Sequence, residues 1–154
     1  KSLLSNSNPY TPAVNLVFAL DEALKMMREE GLENIFLRHN KHKLAMSQAI
    51  KALNLKLFAD EKYLSPSVTA IKTEGLDAEE FRKTIKKNFD ILLAGGQDNL
   101  KGKIFRVGHL GYVNDRDIIT VVSAISDTLL DLGKITTQQA GEALVVVSRY
   151  LKEN

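Results

Sequence analysis

The fold predicted for this chain is decided by the glycine-rich stretch Ala94-Gly95-Gly96-Gln97-Asp98-Asn99-Leu100-Lys101-Gly102-Lys103-Ile104-Phe105-Arg106-Val107-Gly108-His109-Leu110-Gly111. It contains five of the nine glycines of the sequence. Within it, the short run 103–107 is apolar enough to predict a strand, and this strand carries Arg106. Glycines on both sides of a strand let the backbone turn sharply and let another molecule approach closely. The stretch therefore predicts a β-hairpin that presents an arginine.

Arg106 makes this hairpin a candidate anion site. A guanidinium is a rigid fork of donors that fits a carboxylate with two parallel hydrogen bonds. Strand alternation puts Ile104, Arg106 and Gly108 on one face and Phe105 and Val107 on the other. Gly108 then leaves room beside the guanidinium for a small carboxylate. The alternative is a structural arginine on an ordinary surface hairpin, and spacing alone leaves both interpretations open.

Composition excludes several other classes of function. The chain has 154 residues, of which 44% are hydrophobic and 26% charged, as in a globular protein with a real core. Its 21 basic and 19 acidic residues are interspersed, so neither a nucleic-acid nor a membrane partner is predicted. The absence of cysteine excludes disulfides and thiolate chemistry and fits a cytoplasmic protein. The first residue is Lys1 rather than Met, which suggests a piece of a longer chain.

Periodicity and turn signals predict an α+β layer domain, in which helices pack on an antiparallel sheet of three to four strands. The polar, turn-rich residues 1–10 are expected to be a linker, and residues 11–154 a single small domain. Strands are predicted at 55–58, 68–73, 91–94 and 103–107. Helices are predicted from residue 11 to Gly31, from 32 to 53, after an Asp77 cap, from Asn114 or Asp115 to Gly133, and from 137 to 152.

Two other patterns suggest chemistry. Thr11-Pro12 is a typical helix start, with Thr11 as the N-cap, and the free amides of such a start also suit an anion. His39 and His42 are spaced so that both could face one metal ion, but no third ligand is predicted nearby and zinc needs at least three. A solvated basic helix face, with His39 against Phe36 and Lys43, is the expected structure there.

The glycine-rich stretch also resembles a family signature. Gly95-Gly96, a short polar loop and then Gly102-Lys103-Ile104-Phe105-Arg106-Val107-Gly108-His109-Leu110-Gly111 resemble the C-terminal part of class V pyridoxal-phosphate-dependent aminotransferases. The nearest branch is the alanine/serine–glyoxylate type, which includes proteins called the small (tritium-exchange) subunit of soluble hydrogenase. The resemblance covers about residues 8–133 and only the last third of a family member. It implies the small C-terminal domain of a fold-type I pyridoxal-phosphate transferase, preceded by a large domain.

The resemblance also implies roles for individual residues. In the family, the arginine of this strand binds the substrate α-carboxylate, and the resemblance implies the same role for Arg106. In the family, a hydroxyl near the Thr-Pro step contacts the phosphate of the cofactor bound in the other subunit of a homodimer. The resemblance implies this role for Thr11, with Tyr10 as a second candidate. Because the cofactor-binding lysine of the family moves the proton, His109 is expected to be a supporting or structural residue rather than a catalytic one.

The implied function is the C-terminal part of an aminotransferase. Such an enzyme would move an amino group between a small amino acid, alanine or serine, and a 2-oxo acid such as glyoxylate. The Schiff-base lysine and the carboxylate beside the pyridine nitrogen lie in the family's large domain, and Lys1, Lys101 and Lys103 do not match that lysine. The chain alone is therefore expected to be inactive. The alternative is a stand-alone module that binds a small anion or assists assembly without catalysis.

Overall fold

A computed structural model of the chain describes residue 8 and residues 10–153. The chain divides into two compact units, Lys1–Phe36 and Leu37–Asn154, and the division falls inside a helix. The helices are α1 (Val14–Glu30), α2 (Leu32–Ala52), α3 (Ala78–Phe89), α4 (Asp115–Asp131) and α5 (Thr137–Glu153). The strands are β1 (Lys56–Leu57), β2 (Val68–Lys72), β3 (Ala94–Gly95) and β4 (Ile104–Gly108). Within these described residues, no helix is both long and apolar enough to cross a membrane.

The second unit contains a four-stranded sheet with the order β1-β2-β4-β3, in which every neighbouring pair is antiparallel. This confirms the predicted α+β fold. Arg106 lies in the middle of the central strand β4, opposite Ala70 of β2 on one side and Ala94 of β3 on the other. The strand predicted at 91–94 is shorter than expected, since pairing starts only at Ala94 and the side chain of Leu92 is exposed.

The core of the second unit lies against one face of this sheet. Phe105 and Val107 are buried there, and the Phe105 ring lies 5.1 Å from the Phe81 ring of α3, centroid to centroid. The alternation predicted for β4 is therefore correct, because Phe105 and Val107 face the helices. The arginine of the same strand lies on the opposite face and is only partly buried. Helix residues that complete the core include Ile50, Ile85, Ile125, Leu129 and Val147.

In the first unit, α1 starts later than the sequence predicted. The N-cap is Ala13, which makes no side-chain capping bond, so Thr11 is not the cap. Instead, the Val14 amide donates to the Pro12 carbonyl at 2.9 Å, which forms a turn before the helix. The predicted end at Gly31 is correct, and this glycine has a φ of +84°. No α1 residue is buried, and the large apolar side chains of this helix are exposed.

The remaining helix starts agree closely with the sequence. The Asp77 carboxylate accepts hydrogen bonds from the Glu79 and Glu80 amides and so caps α3. Asn114, rather than Asp115, caps α4, and Asp117 completes a reciprocal capping box with it. Such a box satisfies donors that would otherwise be unpaired at the start of a helix. The loop that leaves β4 is therefore fixed at its far end by α4.

Candidate functional site

The guanidinium of Arg106 is held by one backbone contact. Its Nε donates to the Gly95 carbonyl oxygen at 3.0 Å, so the side chain reaches from the centre of β4 across β3. Within residues 8 and 10–153, the two terminal nitrogens, Nη1 and Nη2, form no hydrogen bond or ion pair. A guanidinium anchored through Nε keeps these two parallel donors for a planar anion. The arrangement therefore leaves the two terminal nitrogens of Arg106 without a partner among the described residues.

Gly108 provides open space two residues along the same strand. A Cβ atom built at Gly108 would meet no other atom within 4 Å. Pairing between β3 and β4 ends at Ala94 and Arg106, so Gly108 has no strand partner on the β3 side. A small open space is therefore present at Gly108 itself.

His109, directly after β4, joins the end of this strand to the chain before β2. Its amide donates to the Ser67 carbonyl at 2.9 Å, and its Nδ1 lies 3.1 Å from the Pro66 carbonyl oxygen. Because a carbonyl can only accept, Nδ1 carries the proton, and Nε2 accepts from the Thr69 hydroxyl at 2.9 Å. The side chain is fully buried. Burial lowers the pKa of His109 from 6.5 to about 4, and the bond to Pro66 opposes this only in part. These contacts give His109 a structural role.

Helix α2 holds the loop that follows. Arg38 Nη1 donates to the carbonyl oxygens of Gly111 at 3.0 Å and Val113 at 2.9 Å. His39 Nε2 accepts from the Gly111 amide at 3.3 Å. The predicted solvated basic face is therefore wrong, because His39 and His42 are both buried. The polar groups that they meet lie more than 70 residues away in sequence, where a helix pattern gives no information.

The first turn of α4 supplies the carboxylate for this basic segment. Asp115 lies 2.9 Å from His42 Nε2 and 3.0 Å from Lys41 Nζ. Burial alone would raise the pKa of Asp115, but the hydrogen bonds from His42 and Lys41 outweigh it and lower that pKa. Burial lowers the pKa of His42, although Asp115 opposes this. Among the described residues, no group of three or more histidine, aspartate or glutamate side chains could hold a metal ion.

Tyr10 and Thr11, the predicted phosphate-binding residues, lie in the first unit, whereas Arg106 lies in the second. Both side chains are exposed, Tyr10 to 86%. Neither hydroxyl has a hydrogen-bond partner within the part of the chain that the structure describes. No acidic residue lies in the first turn of α1. Free hydroxyls beside a helix start without carboxylates fit a phosphate chemically.

Sequence reasoning missed Arg82 of α3. Its Nε donates to the Leu93 carbonyl at 2.8 Å, and its Nη1 donates to both carboxylate oxygens of Glu79, at 2.9 and 3.0 Å. The spacing of Glu79 and Arg82, three residues apart on one helix, was a possible signal. Such pairs are so common on solvated helix faces that the spacing alone does not point to a contact with a strand.

Comparisons with known proteins connect this geometry to enzymes. No family model matches the chain. It is 53% identical over 133 residues to the soluble hydrogenase 42 kDa subunit of Anabaena cylindrica, covering 86% of the chain and 35% of that protein. It is 37% identical over 148 residues to a serine–glyoxylate aminotransferase of Methylorubrum extorquens, covering 95% of the chain and 36% of that protein. The crystal structure of ureidoglycine–glyoxylate aminotransferase from Bacillus subtilis matches with a TM-score of 0.83 and 33% identity, over 91% of this chain and 37% of that one.

These matches confirm the resemblance found in the sequence. The homologues of the chain are class V aminotransferases and soluble hydrogenase subunits, and its structural neighbours are pyridoxal-phosphate aminotransferases. The chain spans between 30% and 39% of the length of the curated relatives it matches. This share agrees with the small C-terminal domain that the sequence implied.

We expect acid to destabilise the folded chain through His109. The unfolded chain takes up this proton near pH 6.5, whereas folded His109 does so only near pH 4, so the stabilisation is complete above pH 6.5 and lost as pH falls towards 4. The loss of unfolding free energy is about 3 kcal/mol. Urea unfolding at several pH values should show it, and His109→Gln should flatten the dependence in this window. An NMR midpoint for the His109 ring near 6.5 in the unaltered chain would contradict the prediction.

Proposed function

We propose that this chain is the substrate-binding C-terminal domain of a pyridoxal-phosphate-dependent aminotransferase. The enzyme would move an amino group between alanine or serine and a 2-oxo acid such as glyoxylate. One observation carries the proposal: Arg106 is anchored through Nε, its terminal nitrogens are free, and the neighbouring Gly108 leaves open space. The names of relatives with serine–glyoxylate and ureidoglycine–glyoxylate activity support glyoxylate as the acceptor.

Arg106 would bind the carboxylate that amino acids and 2-oxo acids share. Two parallel hydrogen bonds from Nη1 and Nη2 to the two carboxylate oxygens fix both the position and the plane of the substrate. The Gly95 carbonyl already holds the guanidinium, at 3.0 Å, so little side-chain freedom remains to be lost on binding. Such fixed positioning orients the reacting carbon and lowers the barrier of the chemical step.

Pyridoxal phosphate, when bound, would supply the electron sink for amino transfer. From this chain, the hydroxyls of Thr11 and Tyr10 would hold its phosphate, in the site of the other subunit. The lysine and the carboxylate that such enzymes need would come from a large domain that precedes this chain in a longer polypeptide. The lack of cysteine favours a cytoplasmic location, which stays a prediction.

A homodimer follows from the same proposal. Helix α1 contains no buried residue, and its large apolar side chains are exposed. Exposed apolar surface of this extent is typical of a protein–protein interface. We propose that the longer protein covers this surface when two copies pair. The exposed side chains are Val14, Leu16, Val17, Phe18, Leu20, Leu24, Met26 and Met27.

Arg106→Lys in the longer protein should cost roughly 2–4 kcal/mol of transition-state binding, or about thirty- to a thousand-fold in kcat/KM. An ammonium has no planar fork, so it cannot replace both hydrogen bonds. Steady-state kinetics with alanine and glyoxylate measure this, and Arg116→Lys, the same change at an exposed position of α4, is the matched control. Cofactor affinity should stay near normal. Unaltered kinetics in Arg106→Lys would make this arginine merely structural.

The 154-residue chain alone should not catalyse amino transfer, because none of its lysines matches the cofactor-binding lysine of the family. The measurement mixes the purified chain with pyridoxal phosphate, an amino donor and glyoxylate, and follows glycine formation. The longer protein under the same conditions is the positive control. Turnover by the short chain at a comparable rate would contradict the division of labour proposed for the two domains.

Thr11→Ala in the longer protein should weaken retention of pyridoxal phosphate by roughly 1–2 kcal/mol, the scale of one lost hydrogen bond to a charged group. Thr11→Ser keeps the hydroxyl and should behave like the unaltered protein. Tyr10→Phe tests the second candidate in the same assay, equilibrium dialysis of the cofactor. Unchanged affinity in both Thr11→Ala and Tyr10→Phe would remove the phosphate role from this segment.

A further inference from the structure

Strand β3 is the edge of the sheet, so the outer carbonyl groups of its chain need partners from outside the sheet. Ala94 faces Arg106 in the register, and the Gly96 amide donates to the Ile104 carbonyl, so residues 94 and 96 direct their backbone groups towards β4. Alternation then directs the carbonyls of Leu93 and Gly95 away from β4, to the open edge. Unpaired backbone groups at a sheet edge cost free energy when they are buried, and when they are exposed they can pair with a strand of another chain.

Both outer carbonyls accept a hydrogen bond from an arginine Nε. Arg82 donates to Leu93 at 2.8 Å and Arg106 donates to Gly95 at 3.0 Å. The two side chains come from opposite faces of the sheet. Arg82 belongs to α3, which packs on the Phe105 face, whereas Arg106 projects from the other face of β4. This two-residue strand is therefore held between two arginines.

Glu79 fixes the orientation of Arg82. Its carboxylate oxygens lie 2.9 and 3.0 Å from Arg82 Nη1. This ion pair lies directly against β3, because a Cβ atom at Gly95 would come within 2.5 Å of Arg82 Nη1 and 2.7 Å of Glu79 Oε1. Only a glycine lets the pair approach so closely. The same glycine supplies the carbonyl oxygen that anchors Arg106.

We propose that Arg82, held by Glu79, is a positioning residue for Arg106: it fixes β3 from the helix side and so places the Gly95 carbonyl that orients the substrate-binding guanidinium. The inference depends on the proposed function for its catalytic consequence, but not for its structural step. Glu79 also neutralises the charge of Arg82, so that Arg106 is the arginine left to attract a carboxylate.

The structural step is tested on the 154-residue chain itself. Arg82→Gln removes the anchor of β3, and the Arg106 Nε–H group should then exchange with solvent about tenfold faster in NMR, the effect of weakening one such hydrogen bond. Lys83→Gln is the matched control, because Lys83 is exposed on the same helix and, among the described residues, pairs only with Glu80, at 3.7 Å. Glu79→Gln is the milder second variant if Arg82→Gln does not fold. Equal exchange in Glu79→Gln and Lys83→Gln would overturn the proposal.

The catalytic consequence is tested in the longer protein with alanine and glyoxylate. Arg82→Gln should raise KM for glyoxylate about tenfold with a smaller change in kcat, and this effect should disappear in the Arg106→Lys background because the two residues act in series. A merely structural role predicts the same proportional loss in both backgrounds and would overturn the proposal. If Arg106→Lys alone leaves kcat/KM unaltered, the proposed function fails, while the exchange measurement still decides the positioning step.

Discussion

The hydrogen bond from Arg106 Nε to the Gly95 carbonyl is the contact on which the candidate site depends. It engages Nε and leaves the two terminal nitrogens as parallel donors for a bidentate anion. It also ties the central strand β4 to an edge strand of two residues, which backbone pairing alone would hold weakly. The same hydrogen bond therefore orients the Arg106 side chain and holds β3 at the edge of the sheet. A change that loosens β3 changes the direction of the arginine as well.

Charged and polar side chains bind backbone groups at three places near Arg106. Arg82 donates a hydrogen bond to the chain at β3, and Arg38 donates one to Gly111 in the loop after β4. His109, at the end of β4, forms hydrogen bonds with Pro66 and Thr69. These contacts bond side chains to backbone groups at places where the sheet and helices leave those groups unpaired. Each such bond adds only modestly to stability, because folding replaces a bond to water by a bond within the protein. The result is a fixed frame around a small open space at Gly108.

Patterns of nearby residues predicted most helices and strands of this fold. They did not predict contacts between residues that are far apart in the sequence. The Arg106 strand, the Asp77 cap and the Asn114 start follow from residues within a few positions of one another, so the sequence predicted them. Thr11 failed as a cap because the Pro12 carbonyl takes the Val14 amide first. The basic segment around His42 failed because its partner Asp115 lies 73 residues away, and nothing in a helical period marks which charged residues a distant loop will neutralise. The resemblance correctly predicted that the relatives of the chain include aminotransferases, whereas periodicity alone left Arg106 undecided between an anion site and a surface residue.

The glycines on either side of Arg106 show why a residue type does not define its own role. At Gly95 the missing side chain lets the Glu79–Arg82 pair touch the strand, since a Cβ atom would overlap it. At Gly108 a Cβ atom would meet nothing, so the glycine is not required by packing within the described chain. Gly95 lets a helix contact β3 closely, whereas Gly108 leaves space that no described residue of this chain fills. Two guanidinium nitrogens without a partner in the described chain and an open position on the same strand are features that a purely structural arginine would not need, and they agree with the carboxylate site proposed for Arg106.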